Sequence, residues 1–138
     1  MIKEKEGLIL KFYKCERYLY NHRCRVLSKA VYFLIQLLFN CVIPPSVSFG
    51  EGCTVAHGVG IVIHHTAVIG NGVKIFQNVT IGQPGVVIGD NCLLGAGAVI
   101  LGPCTIGNNV KIGANTVVNF DVPDNSTVVG VKGRIITN

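Results

Sequence analysis

The sequence has no tryptophan, a single methionine and few aromatic residues (7%), and only 14% of its 138 residues are charged. Low charge beside 49% hydrophobic residues excludes a disordered chain, which would lack the apolar material to offset its ordering entropy. The six cysteines, at 15, 24, 41, 53, 92 and 104, form no CxxC pair, so zinc-ribbon and thioredoxin-type spacings are absent. No leader-like segment precedes them, and reduced thiols in a cytoplasmic protein are expected. The longest apolar stretch, residues 30–43, falls short of the roughly 20 residues a bilayer-crossing helix needs. The glycines form neither a P-loop nor a dinucleotide fingerprint.

Positive charge is unevenly placed. Of the net +5, residues 1–29 carry all the excess, with eight Lys/Arg against three Glu, while residues 30–138 balance at zero. A basic patch of this kind attracts nucleic acid, anionic lipid or an anionic polymer. No nucleic-acid motif accompanies it, so a nucleic-acid partner is not expected.

Residues 2–20 and 28–42 read as helices, with Ser28 as N-cap of the second and Pro44-Pro45 as its stop. The second is apolar almost all round (Val31, Phe33, Leu34, Ile35, Leu37, Leu38, Phe39) and must be covered on more than one side. Packing on the domain or on a partner subunit meets that need; attachment to a membrane surface beside the basic residues is the second reading.

From Phe49 onward a six-residue period takes over. Aliphatic residues recur at Ile63, Ile69, Ile75 and Ile81, then after one extra residue at Ile88, Leu94, Ile100, Ile106, Ile112 and Val118. Four positions after each comes a small or β-branched residue: Ala67, Val73, Val79, Gly85, Cys92, Ala98, Cys104, Val110, Thr116 and Val122. A fixed short period means a solenoid. Each hexad supplies one short strand whose aliphatic residue points inward, then a corner. Gly, Asn and Asp crowd the corners, as at 70–72, 89–91 and 107–109, where the backbone favours positive φ. The stack leaves open edges at its ends, and the N-terminal helices are the natural cap for one of them. The division expected is a helical segment at 1–45 and a coil domain at 46–138.

The period breaks twice. The step from Val55 to Ile63 is two residues too long, around Ala56, His57, Gly58, Val59 and Gly60; the other break is one extra residue around Gln83, Pro84 and Gly85. Insertions in a solenoid fall at corners and often at binding sites. With three hexads to a coil, Val55 stacks beside Ile75, which puts His57 beside Gln77 and Asn78. A titratable base then adjoins amides able to orient a substrate.

The run GVGIVIHHTAVIGNGVKIFQNVTIG (58–82), the tract GAGAVILGPCTIGNNVKIGANTVV (95–118) and the closing PDNSTVVGVKGRII (123–136) resemble hexapeptide-repeat acyltransferases. The resemblance is to serine acetyltransferases and to the shorter acetyltransferases found with polysaccharide-synthesis genes. It implies a mainly β protein, a left-handed parallel β-helix that forms a homotrimer and takes acetyl-CoA in a groove between neighbours. His57 matches the catalytic histidine of the motif His-x-x-Gly-Ile-Val. Ala96 and Ala114 match residues whose backbone contacts the pantetheine arm, and Lys132 and Arg134 match the basic tail near the CoA phosphates. There are departures. The serine enzymes have an Asp where Ala56 stands and another acid where Val42 stands; their extended loop with a second histidine, at 83–87 here, is missing, and although the short helical N-terminus ending in an Ile-Pro-Pro turn shares in the resemblance, their long helical N-terminal domain is not expected. Those groups hold the amino acid and orient the histidine.

The chemistry implied is direct acetyl transfer to a hydroxyl, with neutral His57 as general base and a backbone N–H for the oxyanion. No metal is required. A zinc site from His57, His64 and His65 would resemble the trimeric β-helix carbonic anhydrases, but the spacing does not match theirs. His64 and His65 read as surface or interface residues that could also hold the acceptor with Gln77 and Asn78. The expected acceptor is a sugar hydroxyl of a capsular or surface polysaccharide precursor, acetylated in the cytoplasm or at the inner face of the membrane. Serine is the alternative acceptor, and a non-catalytic scaffold is the reading from another class.

Overall fold

A computed structural model describes residues 7–130. Two helices, α1 (Leu8–Asn21) and α2 (Arg25–Phe39), precede a parallel β-solenoid of about four turns. α1 runs from Leu8 in the described part, and the expected helical residues 2–6 lie outside it. α2 begins earlier, and Ser28 is no cap: it sits inside the helix, buried, and its hydroxyl donates to the Glu16 carbonyl at 3.2 Å. The end of α2 is also not set by the prolines. Asn40 takes a left-handed conformation (φ 50°), and its N–H closes on Gln36 O.

The solenoid has three flat faces of stacked parallel strands. The first face stacks Ser48–Phe49, Val68–Ile69, Val86–Ile88 and Cys104–Ile106. The second stacks Thr54–Val55, Lys74–Ile75, Leu93–Leu94, Lys111–Ile112 and Thr127–Val128. The third stacks Val62–Ile63, Thr80–Gly82, Val99–Leu101 and Val117–Val118, with Val42 bridged above Val62. Coil register therefore starts with buried Cys41 and Ile43, ahead of the 45/46 boundary expected from the sequence.

Why the hexads fold this way is visible in the burial. All ten aliphatic positions from Ile63 to Val118 are buried, each stacked on its counterparts, as Val55 on Ile75 and Ile75 on Leu94. Burying each contributes roughly 1.5–3 kcal/mol before entropy is subtracted. The second register is buried too, with one correction. Gly85 is exposed in the corner, and Val86 fills the inward position, because the extra residue is inserted ahead of the strand rather than within it. Cys53, Cys92 and Cys104 are buried free thiols, as is Cys41.

The corner between the first and second faces shows why Asn and Asp are wanted there. Oδ1 of Asn71, Asp90, Asn108 and Asp124 accepts, in turn, the main-chain N–H of Glu51, Asn71, Asp90 and Asn108 in the preceding coil, at 2.7–2.8 Å. Each side chain thus satisfies a backbone donor that the corner takes out of the strand ladder.

α1 closes the N-terminal end of the stack, burying Ile9, Leu10 and Tyr13. Tyr13 Oη donates to Val47 O, and Arg17 donates to both that carbonyl and Tyr13 Oη. α2 behaves differently from the expectation of cover on several sides. Only Ser28 and Ile35 are buried within it, while Val26 (86% exposed), Leu37 (82%) and Phe33 (63%) face outward with Leu27, Leu34 and Leu38.

Candidate active site

The two-residue insertion is His57 and Gly58. On one side Ala56 N–H still donates to Ile75 O, in step with Phe76 N–H to Leu94 O one coil on; on the other Asn78 N–H donates to Val59 O, in step with Gly97 N–H to Gln77 O. Between those rungs the chain swells into a bulge, and His57 is exposed on it with φ 57°. A left-handed conformation is uncommon for a residue with a Cβ, and His is one of the residues enriched there. It turns the imidazole out of the coil at a corner between the second and third faces.

α1 supports this bulge. A Cβ on Gly58 would lie 3.0 Å from Ile9 Cγ2, so the glycine lets the helix rest directly against the segment that carries His57. Sequence reasoning missed Ile9 in this role. The available signal was the glycine itself, directly after the histidine in an insertion.

The same corner gathers most of the expected site residues. The rungs Asn78 N–H to Val59 O, Gly97 N–H to Gln77 O and Asn115 N–H to Ala96 O place Val59, Gln77, Ala96 and Ala114 in one column, one residue per coil. Stacked strands rise about 4.8 Å per step. Ala96 is half-buried and Ala114 exposed, and among the described residues their amide N–H groups donate to nothing. Gln77 brings a second unmet group, since its Oε1 is buried without a hydrogen-bond partner among the described residues. Asn78 is exposed but occupied: its Oδ1 fills the space over Gly60, where a Cβ would come within 2.1 Å.

Other expectations do not converge here. His64 and His65 sit at the opposite end of the Val62–Ile63 strand, beside the Gln83–Pro84–Gly85 corner, so one chain does not bring them to His57. His64 Nδ1 lies 2.9 Å from Thr66 Oγ1 and accepts from Thr66 N–H at 3.3 Å, and its ring stacks at 4.3 Å on His65. His22 is on neither corner, and packs on Tyr18. Lys132 and Arg134 lie outside the described residues. Among the described residues, no three His, Cys, Asp or Glu groups converge as a metal site would need.

His57 makes neither hydrogen bond nor ion pair among the described residues. The two positions where the resembling enzymes carry acids hold Ala56 in the bulge and Val42 at the top of the third face. The imidazole is therefore an uncommitted base at the head of a column of unpaired donors and one unpaired acceptor.

Comparison with known proteins gives the same reading of the fold. Residues 85–119 match the family described as bacterial transferase hexapeptide (six repeats). The chain is 40% identical over 131 residues to a serine acetyltransferase of Synechococcus elongatus, covering 90% of this chain and 54% of that protein. Among solved structures, a serine acetyltransferase in complex with CoA superposes with a TM-score of 0.83 at 37% identity, over 93% of this chain and 55% of the other. Isoform 3 from Entamoeba histolytica, in complex with cysteine, gives 0.84 at 34%, over 94% and 49%. The chain thus spans about half the length of the relatives it matches. By sequence and by fold, the chain is a left-handed hexapeptide-repeat β-helix similar to that of serine acetyltransferases.

Proposed function

We propose that the protein transfers an acetyl group from acetyl-CoA to a hydroxyl, with His57 as general base. The observation that carries this is the single corner column: His57 at its head, then Gln77, Ala96 and Ala114 at one-coil intervals. The pantetheine arm lies along the column, its carbonyls accepting from the free Ala96 and Ala114 amides, which brings the thioester up to His57. Lys132 and Arg134 then meet the CoA phosphates. The imidazole takes the acceptor's proton as its oxygen attacks the thioester carbon. The tetrahedral intermediate collapses, the C–S bond breaks, and the imidazolium returns the proton to the departing thiolate. Gln77 Oε1, the unmet acceptor, receives a donor from the acceptor substrate, and the peptide groups at the bulge supply N–H to the oxyanion.

Serine is the favoured acceptor, because the relatives of this β-helix are serine acetyltransferases. The sugar hydroxyl expected from the sequence becomes the second reading. What favours it is specific: Ala56 and Val42 leave no carboxylate at the bulge for an amino acid's ammonium group, and the Gln83–Pro84–Gly85 corner carries no long extension. A homotrimer would enclose the groove; outward valines on the first and third faces (Val68, Val87, Val62, Val117) offer it apolar contact.

The test follows thiol release from acetyl-CoA with serine and with a panel of sugars. Serine-dependent release that falls about 10²–10⁴-fold in His57→Ala, with unfolding unchanged, is the expected result. Release with sugars alone would transfer the reading to the second acceptor. Equal rates for wild type and His57→Ala on every acceptor would leave a scaffold.

A further inference from the structure

Between α1, α2 and the Pro44-Pro45 turn lies a cavity of about 470 Å³, well away from the His57 corner. Glu16 and Tyr20 of α1 and Arg25, Lys29 and Tyr32 of α2 line it. Glu16 is fully buried, and neither carboxylate oxygen has a hydrogen-bond partner among the described residues. A buried polar group left unpaired in a native fold needs a reason. Arg25 and Lys29 are exposed, one helical turn apart on the same side of α2. Phe33 and Leu37 continue that row toward the end of α2, with Val26 beside it, and all three stand in solvent, so the two cations border the exposed apolar face.

We propose that the helical cap docks on an anionic lipid surface, with the outer face of α2 in the interface and a headgroup phosphate held in this cavity by Arg25 and Lys29. Three observations choose this occupant. All of the chain's excess positive charge lies in residues 1–29, the segment that would meet the surface. A second copy placed symmetrically on the same face would set that charge against itself. No helix among the described residues is long and apolar enough to cross a membrane, whereas an exposed apolar face with a basic border suits one lying in the interface. Burial holds the Glu16 carboxyl protonated to about pH 8, so at neutral pH its O–H can donate to a phosphate oxygen instead of repelling it. The proposal is independent of the acyl-transfer reading, because neither His57 nor its column takes part.

The experiment is sedimentation of the full chain with phosphatidylcholine vesicles, with and without phosphatidylglycerol. Binding to the anionic vesicles, weakened by salt, is the expected result. Replacing both cations (Arg25→Gln with Lys29→Gln) weakens it about thirtyfold, since each basic residue near such a surface contributes about one part of that product. Phe33→Asp with Leu37→Asp abolishes it. All four side chains are exposed, so unchanged thermal unfolding shows that these variants fold. Raising the pH past 8 loosens the wild type and spares Glu16→Gln. The other titratable and charged groups on the cavity wall are Tyr20 of α1 and Arg25, Lys29 and Tyr32 of α2, and the proline turn offers none. No binding to anionic vesicles, or equal binding by all variants, overturns the docking; so does a wild type that light scattering shows to be dissociated by Phe33→Asp with Leu37→Asp while ignoring vesicles. An identical pH response in wild type and Glu16→Gln overturns the placement of the phosphate in the cavity.

Discussion

The coil stack and its helical cap handle buried groups in opposite ways. In the stack, every interior aliphatic residue is repeated one coil away, and corner donors are met by the next Asn or Asp down the ladder. In the cap, a carboxyl is buried without a hydrogen-bond partner among the described residues, while large apolar side chains stand in solvent. A repeat that solves its packing once solves it at every coil. The cap has no such template, and its unsatisfied features are the ones the lipid-docking proposal draws on.

Deleting interior volume would sharpen that contrast most. Ile75→Ala, at a fully buried position between Val55 and Leu94, should cost about 2–5 kcal/mol in urea unfolding, because the stacked neighbours cannot collapse into the gap. Next comes Glu16. Burial raises its pKa from 4.5 to about 8, so folding takes up a proton between those values. Its contribution is fully present below pH 4.5 and is lost as pH rises to 8, at about 1.4 kcal/mol per pH unit. Glu16→Gln should lose that slope, which unfolding series across this range would reveal; matching slopes would contradict a neutral buried acid. Within the stack, Gly60→Ala should cost about 1 kcal/mol or more, since φ is +69° and the new Cβ meets Asn78 Oδ1. Pairing it with Asn78→Ala should recover the steric part alone, and a double-mutant cycle separates the two. The smallest effect belongs to the cap's outer face: Leu37→Ala should change stability by no more than about 0.5 kcal/mol, and a larger loss would mean that α2 is covered in solution.

The same contrast explains what could be read from the sequence. Ile63 to Val118 were legible because ten copies of one inward position reinforce each other. Gly85 was misassigned in favour of an unbroken count, when the inward place belongs to Val86 and only three-dimensional register shows on which side of a strand an insertion falls. His57 with Gln77 followed from coil arithmetic, because the stacking partner of a residue in a solenoid is a matter of counting. The cap resisted. Ser28 looks like a cap because its residue type caps helices, but the Glu16 carbonyl claims its hydroxyl from another helix. Glu16 itself falls on the stripe of Ile9 and Tyr13, and an acid on an otherwise apolar stripe was the one available hint of the cavity. The resting of Ile9 on Gly58 depends on how two elements meet, which no local pattern encodes.

Because coils advance by a fixed step, the corner column works as a gauge. From Ala114 to Val59 is three steps, about 14 Å, and just past the last one Ile9 closes the way against Gly58. An acyl tail carried along that track past Val59 would run into α1 at Ile9. The helix that seals the prism would therefore also set the size of the group it can hand over.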